Sequence, residues 1–192
     1  MTSRSSAVTA FDLMKVFPHP QGGELRALDG VSFEVDRGEI FGLLGPNGAG
    51  KTTVLEIVEG IQKPTAGSAE VMGFDTAAQL QAIKPLIGVQ LQTSAYPERL
   101  RLQELLELLA GFYGKSVDAE GLLEAVGLTD RRNSLISKLS EGQARRFSVI
   151  AALAHDPELI FLDEPTSGLD PQVRRTIWDL VTDLRGRGTT IV

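Results

Sequence analysis

Short apolar runs alternate along the chain with stretches of helical periodicity. The runs Val8–Leu13, Val31–Val35, Ile40–Leu44, Ser68–Met72, Ile87–Leu91, Leu159–Leu162 and Thr189–Val192 predict strands. The pair Asp29-Gly30, just before Val31, predicts a turn. Three runs, Ile40–Leu44, Leu159–Leu162 and Thr189–Val192, are solidly apolar rather than alternating. Burial on both faces produces that pattern, and it predicts a central parallel sheet sandwiched by helices.

The middle of the chain is different. From Leu102 to Tyr113 the apolar residues fall at 102, 105, 106, 109, 112 and 113, the stripe of an amphipathic helix. A second helical stretch runs from Asp118 to Val126 and ends at Gly127. No strand signal occurs between roughly Pro97 and Ser140. Two readings fit: a helical lobe inserted into an α/β core, or helices that cover one face of the sheet. There is no internal repeat and no low-complexity segment.

Composition narrows the function classes. The 192 residues suffice for one α/β domain with a real core, or one domain plus a small lobe. Hydrophobic residues at 42% and charged residues at 23% are ordinary globular usage and exclude wholesale disorder. The net charge of −6 argues against nucleic acid as a partner, since such proteins carry a basic domain or stripe. The pairs Arg131-Arg132, Arg145-Arg146 and Arg174-Arg175 are scattered among acids, and solvated helix faces explain them at least as well as a binding surface. Without cysteine there is no disulfide, thiolate zinc site or cysteine nucleophile, which fits a reducing cytoplasm. Residues 1–10 are polar and lack the apolar core of a signal peptide. No apolar run approaches the ~20 residues that span a bilayer. At a membrane, another chain would supply the channel.

The chemistry begins at residues 45–53, GPNGAGKTT. They follow the apolar run 40–44 and precede the helical pattern Val54–Val58, the strand–loop–helix setting of the GxxxxGK[ST] phosphate loop. Gly45, Gly48 and Gly50 free the backbone where a Cβ would obstruct it. Successive N–H groups from Gly45, Pro46 onward through Asn47, Gly48, Ala49, Gly50, Lys51, Thr52 and Thr53 can then wrap phosphate oxygens, proline excepted, aided by the N-terminal end of the helix dipole. Lys51 is expected to bridge the β- and γ-phosphates of ATP, and the Thr52 hydroxyl to ligate Mg²⁺.

A second phosphate element follows the run Leu159–Leu162, which ends in Asp163-Glu164-Pro165. Carboxylates at the carboxyl end of a buried strand are costly unless they serve a cation or a proton transfer, although a solvated strand end with routine acids is the plainer alternative. In phosphate-loop enzymes this position carries an Asp that helps hold Mg²⁺, here Asp163. Glu164, one residue on, falls near where water would attack the γ-phosphate.

With these motifs the chain resembles the nucleotide-binding domains of ABC proteins over nearly its whole length. Residues 139–143 read LSEGQ, similar to the LSGGQ signature, and lie about 20 residues before the strand-terminal aspartate. Ser167-Gly168-Leu169-Asp170 looks like the family's D-loop. The resemblance implies a P-loop NTPase core, with a parallel sheet flanked by helices and an N-terminal antiparallel β region. It places that core at residues 1–92 and 155–192, with a helical subdomain at about 93–154, the whole forming one ABC ATPase domain. It also implies that Gln92 senses γ-phosphate and Mg²⁺, with Gln90 as the competing choice, and that Phe17 stacks on adenine unless it is an ordinary core aromatic. Two such domains pair head to tail, so Ser140, Gly142 and Gln143 act on the partner's nucleotide. Ser140 with Gln143 is also a capping box, and Asp170 before Pro171 reads as N-cap and N1 beside its D-loop role.

Two departures stand out. The first signature glycine is Glu141 here, an acid near a γ-phosphate. Neither His19 nor His155 occupies the place of the family's switch histidine, and His155, before Asp156-Pro157, reads as a surface residue. On the family pattern the chain stops midway through the strand leading to that histidine. The resemblance therefore implies a fragment of a longer polypeptide that binds nucleotide and hydrolyses it poorly. The subgroup it resembles is the bacterial drug-resistance exporters. The expected protein is an ATPase subunit, peripheral on the inner face of the cell membrane, working through a separate transmembrane permease. The rival is a non-transport ABC ATPase acting on ribosomes or DNA, against which acidity and a single cassette count. A P-loop kinase would have no use for LSEGQ.

Overall fold

The computed structural model describes residues 6–19, 22–90 and 96–192. It divides into two compact units, residues 1–87 with 190–192, and residues 88–189.

The first unit is built on an antiparallel sheet. Strands β1 (Ser6–Pro18) and β2 (Glu24–Asp36) form a long ladder, and β3 (Ala66–Val71) and β4 (Phe74–Asp75) continue it in the order β2-β1-β3-β4. Both long strands exceed the predicted runs. Their extensions, such as Met14–Pro18 against Glu24–Asp29, mix apolar and charged residues and are recruited by pairing. Asp29-Gly30 is accordingly not a turn but lies inside β2. Gly30 has φ +79° where the register slips between the pairs Leu13–Val31 and Met14–Asp29, so the turn chemistry is spent on a bulge. Helix α1 (Lys51–Val58) buries Val54, Leu55, Ile57 and Val58 against β1, β2 and β3. Each fully buried aliphatic of this kind contributes about 1.5–3 kcal/mol. The short α2 (Leu80–Ile83) buries Ile83.

The predicted strand Ile40–Leu44 is the clearest correction. Only Ile40 pairs, in a single parallel bridge to Ile191 of β7 (Thr190–Ile191), and Leu44 is 92% exposed. Around this bridge Phe41 N–H donates to Ile191 O and Ile191 N–H to Glu39 O.

The second unit holds β5 (Ile87–Gln90) beside β6 (Leu159–Leu162), whose Leu159, Ile160 and Phe161 are buried as the apolar run predicts. The helices are α3 (Leu102–Gly111), α4 (Ala119–Ala125), α5 (Glu141–Ala151) and α6 (Pro171–Gly186). Helix α3 turns Leu102, Leu105, Leu106 and Ala110 inward and packs on α4 and α5. Helix α4 starts where Asp118 accepts the Gly121 N–H and stops at Gly127, φ +65°. No strand is assigned among the described residues from 97 to 140, apart from an isolated bridge between Arg101 and Leu135. His155 is not a surface residue: it is 6% exposed, its ring stacked on Tyr113 at 4.2 Å.

Candidate functional site: a phosphate loop, a carboxylate pair and a signature helix

In the first unit, α1 opens from an exposed loop. Gly50 is its N-cap, in the left-handed region at φ +87°. A Cβ there would stand 2.6 Å from Ala27 O and 2.7 Å from Leu28 Cδ2, so both conformation and close approach demand glycine. Gly48 is also left-handed, at φ +81°, with open space around it. The first intrahelical bond runs from Val54 N–H to Gly50 O at 2.9 Å. The N–H groups of Lys51, Thr52 and Thr53 therefore have no acceptor within the helix, which is the donor cluster an anion needs. Lys51 Nζ donates to the carbonyls of Gly45 (2.8 Å) and Pro46 (3.1 Å), folding across its own loop. Residues 45–49 are exposed, Ala49 N–H donating to Pro46 O at 3.2 Å.

Phe17, in the same unit, pairs with Leu25 across β1 and β2 and is half-buried rather than a core ring. The Lys15 ammonium lies 5.1 Å from its centroid while donating to Lys63 O at 2.7 Å. That cation was not legible in the sequence.

In the second unit, β6 delivers Asp163, half-buried, and Glu164, exposed. Glu164 has φ +46°, a region that a residue with a Cβ enters only under strain. Helix α5 begins at Ser140 with a reciprocal cap: Gln143 N–H donates to Ser140 Oγ (3.3 Å) and Ser140 N–H to Gln143 Oε1 (2.9 Å). Glu141 is exposed in the first turn, where a negative charge complements the helix dipole. Gly142 has room for a Cβ, which would meet Leu169 Cδ2 at 3.5 Å. Asp170 caps α6, its Oδ1 accepting from Gln172 N–H (3.0 Å) and Val173 N–H (3.1 Å), with Pro171 at the first helical position. Gln92 lies outside the described residues. Its competitor Gln90 is buried, with Nε2 donating to Ser148 Oγ at 3.1 Å.

Two residues escaped the sequence reading. Arg145 Nη1 donates to Glu164 O (2.9 Å) and Arg146 Nη1 to Val126 O (2.7 Å), so this pair is half-buried structure and not a solvated face. Nothing in an Arg-Arg doublet distinguishes the two cases.

Residues 28–167 match the family model described as ABC transporter. The chain belongs to the ABC transporter family. It is 40% identical over 175 residues to a daunorubicin resistance ATP-binding protein of Streptomyces coeruleorubidus, covering 88% of this chain and 55% of that protein. It is 42% identical over 176 residues to a fluoroquinolones export ATP-binding protein of Mycobacterium tuberculosis, covering 91% of this chain and 58% of the relative. The chain thus spans somewhat over half the length of these curated relatives. Among solved structures it superposes with a TM-score of 0.88 and 28% identity on an ATP-binding cassette seen as a dimer in a post-hydrolysis state bound to ADP and Pi, covering 96% of this chain and 86% of that one. The P-loop NTPase class, with a parallel sheet and an antiparallel β region, agrees with these neighbours. Among the described residues no helix is long and apolar enough to cross a membrane.

Proposed function

We propose that this ABC chain binds Mg-ATP and hydrolyses it to drive export through a separate membrane subunit. The observation that carries the reading is the segment 45–53, exposed over 45–49, where left-handed Gly48 and Gly50 open a helix whose first N–H groups have no internal acceptor. The relatives named for daunorubicin resistance and fluoroquinolone export support the direction of transport.

In this reading the loop and Lys51 bind the β- and γ-phosphates, and Phe17 offers its ring to adenine. Stacking of that kind is worth about 0.5–1.5 kcal/mol. Thr52, Asp163 and Gln92 would hold Mg²⁺. Their hard oxygens suit it, and Mg²⁺ commonly takes one or two protein oxygens and completes its shell with water and phosphate. When bound, the ion supplies charge neutralisation on the phosphates. Glu164 orients and polarises the water that attacks the γ-phosphate. Ser140, Gly142, Gln143 and Asp170 would act at the nucleotide of a second cassette, with ATP closing the pair and hydrolysis reopening it. Core residues 1–92 and 155–192 and a helical part at about 93–154 make up the proposed ABC domain.

The test is affinity purification from membranes of the native host, with Mg-ATP turnover measured on the product. Recovery of an integral membrane chain, and turnover abolished by Glu164→Gln, are the expected results. Recovery of ribosomes or DNA with no membrane chain would reject transport.

A further inference from the structure

Glu164 is held in its strained conformation from outside its own loop. We propose that Arg145 is a positioning residue that fastens the Glu164 peptide to the signature helix, and thereby sets the direction in which the Glu164 carboxylate meets water. This role depends on the reading of Glu164 proposed above.

At φ +46° the Glu164 peptide persists only if its surroundings over-determine it. Two donors converge on its carbonyl oxygen, Ser167 N–H at 3.1 Å and Arg145 Nη1 at 2.9 Å. The first is local and closes the turn. The second comes from α5, and is the stronger kind because its donor is charged. Rotation about φ carries the Cβ and the carbonyl together around the N–Cα bond, so relaxing φ to a negative value moves both relative to the preceding peptide. Holding the carbonyl from α5 therefore holds the exit direction of the side chain.

The backbone from which the Arg145 side chain departs is itself fixed. Ser148 Oγ donates to Arg145 O (2.8 Å), and buried Gln90 Nε2 donates to Ser148 Oγ (3.1 Å). A chain of hydrogen bonds thus runs from the end of β5 through α5 to the Glu164 peptide. The neighbouring Arg146 turns to the end of α4 through Val126 O, so the two guanidiniums divide the work. Because α5 also begins at Ser140, the cap of the signature, one rigid helix carries both the signature and the anchor of Glu164.

The experiment compares wild type with Arg145→Met, Arg145→Lys and Glu164→Gln. It measures Mg-ATP turnover, ATP affinity, melting temperature and hydrogen exchange at the Ser167 amide, which shares the Glu164 carbonyl. Arg145→Met is expected to lower kcat about 10- to 100-fold, the scale of a misplaced catalytic group, with ATP affinity unchanged and faster exchange at Ser167. Arg145→Lys keeps a charged donor and should recover most of both. Should Arg145→Met fail to fold, Arg145→Gln carries the same comparison. Wild-type kcat, or unaltered Ser167 exchange, in the folded variant overturns the role of Arg145. Wild-type turnover by Glu164→Gln would instead reject the carboxylate's action on water, and Ser167 exchange would then decide the anchor alone.

Discussion

Lys51 spends its ammonium on two carbonyls of its own loop, Gly45 O at 2.8 Å and Pro46 O at 3.1 Å. Both are neutral acceptors on exposed residues, and a triphosphate offers charged ones in their place. Lys51→Ala should therefore weaken ATP binding about 10- to 100-fold, the equivalent of about 1.5–3 kcal/mol for a hydrogen bond between charged groups. Equal affinity in a calorimetric titration of the variant would reject the phosphate-loop assignment. A different residue governs behaviour in alkali. Burial pushes the Tyr96 hydroxyl from 10.0 up to about 12, its ring standing edge-on to Phe147 at 6.0 Å. Between these values the unfolded chain loses this proton while the folded chain keeps it. The contribution of Tyr96 to stability is thus fully present below pH 10 and is lost, by about 2–3 kcal/mol, as pH rises through 12. Urea midpoints at pH 9 and 11.5 should show this fall in wild type, and a smaller one in Tyr96→Phe.

Helices begin and end on local chemistry in this chain. Asp170 accepts two N–H groups at the start of α6 and Pro171 follows at the position that needs no donor. Asp170→Ala should cost about 1 kcal/mol, near the middle of the range for lost caps, and lower the melting temperature by about 2–4 °C. An unchanged melting curve would mean that packing of Ile177 and Val181 alone holds the helix. At α5 the same chemistry has a second consequence. Gln143 Oε1 is engaged by Ser140 N–H, leaving the amide nitrogen of Gln143 as the part of that side chain able to reach a ligand without breaking the cap.

For the molecule as a whole, the expected event is ATP-dependent pairing. A similar solved cassette is a dimer bound to ADP and Pi. Glu164→Gln keeps the shape of the side chain and removes its charge, so ATP should bind without being consumed and the closed pair should accumulate. Sedimentation at saturating Mg-ATP should show a dimer in this variant and a mostly monomeric wild type once ATP is exhausted. A variant that stays monomeric would point first to Glu141, the acid that replaces the first signature glycine.

Much of the candidate site's local structure was legible in one dimension because its parts are local. The loop 45–53, the caps at Ser140 and Asp170, and the helices at 102–111 and 119–125 begin from bonds between residues a few positions apart, which a sequence displays directly. What required a partner from afar was decided by the fold. The ladder drew polar residues into β1 and β2 and turned Asp29-Gly30 into a bulge, because backbone pairing is indifferent to side-chain pattern once a neighbour is aligned. Ile40–Leu44 makes one bridge, from Ile40 to Ile191, despite its apolar run. His155 went inside because Tyr113 supplied a ring to stack on. The sequence alone determined the glycine-rich loop that opens α1 and the order of the motifs. The fastening of Glu164 by Arg145, 19 residues earlier, was decided only by tertiary structure, since a hydrogen bond to a backbone carbonyl leaves no trace in the identity of the residue that accepts it.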